Sequence, residues 1–350
     1  MRFVFGPVSS RRFGLSLGVD LSLDRKRCNY DCLYCELSKA KRVNFFDEPA
    51  DWQAIVSEVE AALKTRAPEK LTITANGEPT LYPYLDALID GLNAIKGGAK
   101  LMILSNGSTI GDEATAKTLA KLDVVKLSLD AAEAKAFKKV DRPDKRADIE
   151  AIIEAMARFR ARYAGEFVVE VLLVKGANDT ETNFDALAIA LGKIKPDRID
   201  IGTIERPSAY AVQAVADETM RSLANRLTGL NARIIPARHK RPNAAPDCAS
   251  PDRHTLDRIA PDHPSSALAS PDRVATDRIT SDCLSSDRVV PDRHSFDRVS
   301  LIDLLKRRSL SAAEAVAILD ERALALLNEL LISGEIIIKT QNNKTFYAIS

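Results

Sequence analysis

Strand-like and helix-like segments alternate over the first 240 residues, and this alternation limits the fold more than any other feature. Six strand–helix units in succession favour a parallel sheet with right-handed crossovers. The periodicity leaves open whether that sheet is open and doubly wound or curls into a barrel. Strands are predicted over 18–23, 71–75, 101–104, 124–129, 167–174 and 198–201, and the helices that follow them over 51–64 (capped by Asp51), 83–95, 112–122, 146–163, 181–192 and 212–228.

Unusual residues gather directly after the predicted strands. A cysteine-rich loop follows the first strand, Asn76–Thr80 follows the second and Ser105–Gly107 follows the third, while Asp130 and the segment 175–179 follow the next two. In βα barrels the carboxyl ends of the strands share one rim, and the chemistry collects there. The pattern therefore predicts one active site ringed by these loops.

Three of the five cysteines, Cys28, Cys32 and Cys35, lie within eight residues in a C-x3-C-x2-C spacing. Three thiolates on one loop match three corners of a [4Fe–4S] cluster and leave the fourth iron open to another ligand. A structural zinc site is the first alternative, but it needs a fourth ligand, and the sequence has none nearby. Unliganded thiols are the second alternative, and an odd trio does not suit disulfides.

The spacing, with the aromatic Tyr34 directly before the third cysteine, resembles the signature of the radical S-adenosylmethionine (SAM) superfamily. Gly77-Glu78-Pro79 resembles that superfamily's GEP motif. The resemblance implies a partial (β/α)6 barrel and is the reason to prefer a barrel to an open sheet. It also implies that the open iron binds the amino and carboxylate groups of SAM, and that an electron from the cluster cleaves SAM to a 5′-deoxyadenosyl radical.

The same resemblance implies a set of cofactor-binding residues. The GEP turn contacts the amino group of SAM, and two further rim residues are candidates for its carboxylate or ribose, although each has a structural alternative as a turn or a packed strand residue. Lys126 and Lys175 could serve as Schiff-base or general-acid groups, but a solvated lysine is the preferred interpretation of both. The predicted SAM-binding residues are Tyr34, Gly77, Glu78, Pro79, Asn106 and Ser128.

Three runs narrow the resemblance to the wyosine-synthase-related branch: Phe5–Asp20, Cys28–Glu36 and Gly77–Pro83. Members that make the tricyclic base act on tRNA and hold pyruvate near a second cluster, whose cysteines precede the SAM loop. No cysteine precedes Cys28 here, so only the radical SAM core is carried over. The resemblance makes an RNA base, in tRNA, the first candidate substrate, and a peptide or small metabolite is the alternative. A flavodoxin- or ferredoxin-type electron donor is expected.

The net charge of +1 indicates neither a nucleic-acid nor a membrane partner. Residues 1–45 are nevertheless basic, with nine Lys and Arg against four Asp and Glu. This rim could contact phosphates, and a solvated face is the equally weighted alternative. No apolar run reaches the roughly 18–20 residues that span a bilayer, and no signal peptide is evident. A cytoplasmic enzyme without a membrane partner is expected.

The composition changes after the predicted barrel, which is assigned to residues 1–240. Aspartate recurs at five-residue intervals from Asp247 to Asp297, with one interruption, and predicts a disordered, charge-balanced linker over 241–300 rather than a pentapeptide solenoid. Residues 301–350 resemble a winged helix-turn-helix: three short helices and a hairpin that turns at 342–343. The acidic, apolar third helix argues against sequence-specific DNA binding. An iron–sulfur or zinc redox regulator that binds DNA through this tail is the alternative from another class.

Overall fold

The structure is a computed structural model that describes residues 3–10, 12–22, 25–235, 296–307, 309–341 and 344–349. The Asp repeat, with Cys248 and Cys283, therefore lies almost entirely outside the described residues, as does the predicted turn at 342–343. The proposed boundaries at 240 and 300 stay predictions. Within the described residues, no helix is long and apolar enough to cross a membrane.

The large sheet has eight strands whose spatial order equals their order in the chain. The first two strands form an antiparallel hairpin, in which Val4 pairs with Val19 and Ser10 with Gly14. Every later neighbour is parallel, so seven strands share one direction. The strands are β1 (Val4–Ser10), β2 (Gly14–Asp20), β3 (Lys70–Thr74), β4 (Lys100–Ser105), β5 (Val124–Ser128), β6 (Glu166–Leu173), β7 (Arg198–Thr203) and β8 (Ala232–Ile234).

Seven helices connect the parallel strands and cover the outside of the sheet. Several begin at a side-chain cap, because the first backbone N–H groups of a helix need an acceptor: Asp51 accepts from the Gln53 N–H, as predicted, and Thr180 accepts from the Asn183 N–H. The helices are α1 (Trp52–Leu63), α2 (Leu85–Ile95), α3 (Glu113–Leu119), α4 (Ala134–Val140), α5 (Ile149–Arg160), α6 (Glu181–Ile194) and α7 (Asp217–Ala224).

This architecture confirms the predicted α/β class and partial (β/α)6 barrel, with corrections to its elements. The first parallel strand is Gly14–Asp20 rather than 18–23, and an unpredicted antiparallel strand, β1, precedes it. The predicted helix over 146–163 is α5, and the unpredicted α4 comes before it. The predicted helix over 212–228 shortens to α7 and a 3₁₀ turn, because 212–216 is extended loop, and an unpredicted short strand, β8, follows.

A small apolar cluster closes the barrel at the amino-terminal ends of the strands. Phe13, from the β1–β2 turn, packs with Met102, Val124 and Val168, which lie near the starts of three parallel strands. These side chains are buried. These side chains therefore fill the interior at this end, which lies opposite the catalytic rim predicted at the carboxyl ends of the strands.

The described part of the tail forms a second, smaller core. Three helices surround a three-stranded antiparallel sheet in the order β10-β11-β9, and Leu301, Leu327 and Leu330 are buried among them. Helices and strands were predicted here, whereas the winged-helix assignment stays a prediction. The elements are α8 (Arg298–Arg307), β9 (Leu310–Ser311), α9 (Ala312–Ile318), α10 (Glu321–Ile332), β10 (Ile336–Gln341) and β11 (Lys344–Ile349).

Candidate active site

The cysteine loop lies at the carboxyl end of β2, beside the loops that follow β3, β4 and β5. The backbone N–H of Tyr30 approaches the Cys28 sulfur at 3.4 Å, and the Cys32 sulfur lies 3.7 Å from a carboxylate oxygen of Asp141. The Cys35 N–H donates to the Cys32 carbonyl at 3.2 Å. All three thiols are free of disulfides.

Burial is the largest influence on the two innermost thiols. It raises the pKa of Cys28 to about 12, with Glu78 and Cys35 adding to the effect. It also raises the pKa of Cys32 well above its usual value, and Asp141, Cys28 and Cys35 act in the same direction. The cysteines raise one another's pKa because the loop turns their sulfurs toward a common space.

The ammonium of Lys26 indicates what occupies that space. Its Nζ is buried and lies 3.6 Å from an Asp31 oxygen. Burial lowers its pKa, but Cys35, which also accepts a hydrogen bond, Cys28 and Asp31 together raise it above its usual value. A buried cation beside two of the three cysteines fits an anionic thiolate cluster.

The geometry does not support the zinc alternative. In the part of the chain that the structure describes, no three His, Cys, Asp or Glu side chains lie close enough to hold a single metal ion. A zinc ion would hold each thiolate sulfur at about 2.3 Å. A [4Fe–4S] cluster does not require three ligands on a single ion, because each thiolate binds a different iron.

The GEP turn is joined to the cysteine loop through the backbone. The Arg27 N–H donates to the Asn76 carbonyl, and the Glu78 N–H donates to the Arg27 carbonyl, both at 2.8 Å. Gly77 lies between them with φ +141°, and a Cβ there would stand 1.8 Å from the Arg27 oxygen. The glycine is therefore required for close approach to Arg27, the residue before Cys28.

The Glu78 carboxylate is buried and connects two loops. It accepts hydrogen bonds from the Thr80 N–H and hydroxyl, from the Ser105 hydroxyl at 2.7 Å and from the Asn106 N–H at 2.7 Å. Pro79, also buried, starts the 3₁₀ turn that presents Thr80. The Glu78 oxygens therefore hold the β3 and β4 loops together. The expected contact of the GEP backbone with SAM stays a prediction.

Asn106 lies against the cysteine loop, and Ser128 lies farther along the same rim. The Asn106 amide donates to Asn29 at 2.9 Å and approaches the Cys28 sulfur at 3.8 Å. Ser128 lines a small cavity with Asn106, Asp130 and other residues. Their assignment as SAM ligands stays a prediction.

Tyr34 is fixed by a buried carboxyl group. Its hydroxyl donates to Asp130 at 2.5 Å, and the other Asp130 oxygen accepts from the Leu172 N–H at 2.7 Å. Burial raises the pKa of both Asp130 and Asp141, and the two carboxyl groups also act on each other. The Tyr34 hydroxyl is thus directed at Asp130, and its predicted role at SAM stays a prediction.

A cavity of about 480 Å³ fills the barrel between the apolar floor and the cysteine rim. Its wall includes Lys126 near the floor and, near the rim, Glu36, which directly follows Cys35. The expectation that Lys126 is solvated was wrong, because the side chain is buried and contacts Glu170 at 2.6 Å. Burial lowers the pKa of Lys126 well below the usual value. Lys175 is exposed.

The loop after β7 also contacts the cysteine loop. The Ala209 N–H donates to the Cys35 carbonyl at 2.8 Å, and the Tyr210 hydroxyl donates to Asp31 at 2.5 Å. Arg206, which lines the cavity, contacts Glu36 at 3.5 Å and the tail's Glu314 at 3.0 Å. This loop therefore links the cavity, the cysteine loop and the tail.

Comparison with known proteins agrees with this geometry. Residues 25–187 match the profile of the Radical SAM superfamily. The chain is 36% identical over 346 residues to a UPF0026 protein of Helicobacter pylori (strain ATCC 700392 / 26695), covering 98% of this chain and 96% of that protein. It is 44% identical over 219 residues to the UPF0026 protein of strain J99, covering 62% of this chain and 71% of that protein. The chain belongs to the radical SAM superfamily.

A solved structure was also compared with this radical SAM protein. The crystal structure of a radical SAM methyltransferase from Sphaerobacter thermophilus superposes with a TM-score of 0.49 at 16% identity, covering 64% of this chain and 67% of that chain. This likeness adds nothing on activity or substrate.

Membership of the superfamily confirms the predicted class and cofactors. Radical SAM proteins use a [4Fe–4S] cluster and SAM, and they require an external reductant and a substrate. The radical SAM chain is therefore an enzyme, and the redox-regulator alternative is not favoured. Which residues bind the two cofactors stays a prediction.

Several residues of this radical SAM site were not predicted from the sequence. Asp141 reaches Cys32 from 109 positions away, and Tyr210 reaches Asp31 from 179 positions away. Neither residue lies in a motif. Lys26 was counted only within the basic segment over residues 1–45, although its place two residues before Cys28 was a usable signal.

Proposed function

We propose that this chain holds a [4Fe–4S] cluster on Cys28, Cys32 and Cys35, binds SAM beside the GEP turn and removes a hydrogen atom from a substrate in the barrel cavity. One observation carries the proposal: the cavity reaches from the closed floor to Glu36, the neighbour of Cys35. A molecule in the cavity would therefore lie against Glu36, the residue that follows the last cysteine of the loop. When bound, the two cofactors supply an electron and a 5′-deoxyadenosyl radical.

The chain's own residues position the cofactors and exclude water. The Gly77–Arg27 backbone contact fixes the GEP turn against the cysteine loop, and Glu78 fixes the neighbouring rim. The apolar floor around Phe13 closes the other end of the cavity. Such pre-organisation favours a reaction in which a reactive species must meet only its substrate.

An RNA base is the proposed substrate. The volume of the cavity lies within the range of small-molecule sites, about 300–1,000 Å³, so it could hold a heterocyclic base. Its wall combines the aromatic Phe5 and Phe13 with the hydroxyls of Thr72 and Thr74, which suits a flat ring that carries hydrogen-bonding groups. The basic segment over residues 1–45 could contact RNA phosphates.

The test is anaerobic formation of 5′-deoxyadenosine. The protein is reconstituted with iron and sulfide, reduced, mixed with SAM and analysed by mass spectrometry. We expect 5′-deoxyadenosine from the wild type and from Cys283→Ala, and at least about a hundredfold less from Cys32→Ala. A wild-type protein that carries the full cluster and binds SAM but forms no 5′-deoxyadenosine would overturn the proposal.

The substrate is tested in parallel arms. Bulk tRNA, a nucleotide mixture and a peptide digest are each added to the loaded enzyme. We expect tRNA alone to raise 5′-deoxyadenosine above the background without substrate and to gain a mass change in its digested nucleosides. If the peptide digest or the nucleotide mixture raised 5′-deoxyadenosine formation and tRNA did not, the RNA base would be refuted as the substrate.

A further inference from the structure

Lys26 carries a positive charge into the interior beside the cysteines. Its side chain is 7% exposed, and its Nζ lies 3.6 Å from an Asp31 oxygen. This separation is an ion pair that is slightly longer than a hydrogen bond. The ammonium also forms a hydrogen bond with the Cys35 side chain, and its charge acts on Cys28. The ammonium therefore lies between the Asp31 carboxylate and the sulfur of Cys35.

Asp31 does not neutralise this lysine by itself, because other groups share the carboxylate. The Tyr210 hydroxyl donates to Asp31 Oδ2 at 2.5 Å, and the Arg142 guanidinium contacts the same oxygen at 3.1 Å. The Arg142 guanidinium and the Lys39 ammonium both lie over the Tyr210 ring. Lys26 is the most deeply buried of these three cations, since the Arg142 side chain is 37% exposed and Lys39 is exposed.

A cation in this position acts on the charge of the cluster. Three thiolates make the assembly negative, and reduction adds one more negative charge. Net charge, hydrogen bonds to sulfur and solvent exposure set the reduction potential of iron–sulfur clusters. A buried charge acts more strongly than an exposed one, because solvent screens it less.

We propose that Lys26 raises the reduction potential of the cluster, by placing its ammonium beside the Cys35 sulfur that would bind iron. The inference rests on the proposed function, since it requires the cluster on the three cysteines. Lys26 sets how readily the external donor can reduce the enzyme. Its charge acts on the reduction of the cluster, and Lys26 does not contact the substrate.

The test is an anaerobic redox titration of the reconstituted protein, followed by the electron paramagnetic resonance signal of the reduced cluster. Lys26→Met keeps the apolar stem and removes the charge, Lys26→Gln removes the charge and keeps polarity, and Lys26→Arg keeps the charge. Lys39→Met is the matched control, because it removes an exposed cation from the same loop.

We expect the reduction equilibrium to weaken at least about tenfold in Lys26→Met and Lys26→Gln, which is 59 mV for a one-electron couple. Lys26→Arg should stay within about threefold of the wild type, as should Lys39→Met. The iron and sulfide content of each variant is measured before titration, so that only loaded protein is compared.

Two results would overturn the inference. One is an unchanged midpoint potential in a fully loaded Lys26→Met or Lys26→Gln protein. The other is failure of both neutral variants to hold iron while Lys26→Arg does, since the lysine would then be a structural requirement rather than a determinant of potential. A wild-type protein that holds no [4Fe–4S] cluster after reconstitution would refute the proposed function instead.

Discussion

Replacing Gly77 with alanine tests whether the GEP turn fixes the cysteine loop. The new Cβ would stand 1.8 Å from the Arg27 carbonyl oxygen, whereas real Cβ contacts are essentially never under 3.0 Å. Arg27 must therefore retreat by about 1.2 Å, because backbone cannot rotate away as a side-chain tip can. The two 2.8 Å hydrogen bonds that join Arg27 to Asn76 and Glu78 would both be lost or badly strained.

The magnitude follows from two contributions. A non-glycine residue at φ +141° carries of order 1–3 kcal/mol of backbone strain. Each lost backbone hydrogen bond adds about 1 kcal/mol. Gly77→Ala should therefore lower the free energy of unfolding by about 3–5 kcal/mol. At about 2–4 °C per kcal/mol for a domain of this size, Tm should fall by roughly 6–20 °C.

Urea and thermal unfolding of the protein before reconstitution measure this loss, and iron content after reconstitution measures its effect on the site. We expect less bound iron, because Arg27 directly precedes Cys28. Gly192→Ala is the control: that glycine lies within α6 with no heavy atom within 4 Å of a new Cβ, so stability should rise by about 0.5–1 kcal/mol. A Gly77→Ala protein within 1 kcal/mol of the wild type, with full iron content, would refute the reasoning.

Three further substitutions test the buried polar groups. Glu78→Gln should lower the free energy of urea unfolding by about 1–3 kcal/mol, since either orientation of the amide turns its NH₂ toward a backbone N–H; a loss below about 0.5 kcal/mol would contradict this. Burial raises the pKa of Asp200, but hydrogen bonds from two arginines lower this pKa below the usual 3.8. The stability that the Asp200 carboxylate adds is therefore present above pH 3.8 and is lost as the pH falls through the lowered pKa. Asp200→Asn should therefore lower the free energy of urea unfolding by about 2–3 kcal/mol at pH 7 and by progressively less below pH 3.8. The exposed control Asp185→Asn should change the free energy of unfolding less. A difference between wild type and Asp200→Asn that stays the same at low pH would refute this prediction. Glu314→Ala should lower hydrogen-exchange protection of α9 by about 1–2 kcal/mol through loss of the capping box, whereas Glu314→Gln should mainly weaken the contact with Arg206; equal losses would show that the charge dominates.

The main elements of the barrel were predictable, because local patterns determine them. Apolar strands bounded by turn residues and helices that begin at capping residues such as Asp51 are visible in a short window. The hairpin strand β1 was not predicted, since Pro7 and the serines at its end do not alternate with apolar residues, and its pairing with β2 supplies the stability. Helix α4 was missed because its seven residues are too few for a clear period.

The residues of the site also divide into those that local sequence predicts and those that it does not. Its cysteines and GEP turn are contiguous motifs and could be read directly. The burial of Lys126 could not, because its partner Glu170 lies 44 positions away and no local pattern relates a lysine in one strand to a glutamate in the next. A charged residue in a strand is usually predicted to be exposed to solvent. Lys126 points inward only because the sheet closes around it.

The contacts of the predicted SAM ligands change what those residues are expected to do. Glu78 directs its carboxylate to Ser105 and Asn106, and Tyr34 directs its hydroxyl to Asp130. Because these polar atoms already hold protein groups, we propose that they contribute to SAM binding chiefly by fixing the loops around it. Backbone groups of the GEP turn and the open iron would then contact SAM itself. Substitutions at Glu78 and Tyr34 should accordingly loosen the cluster loop, and weaker SAM binding should follow from that movement rather than from a lost direct contact.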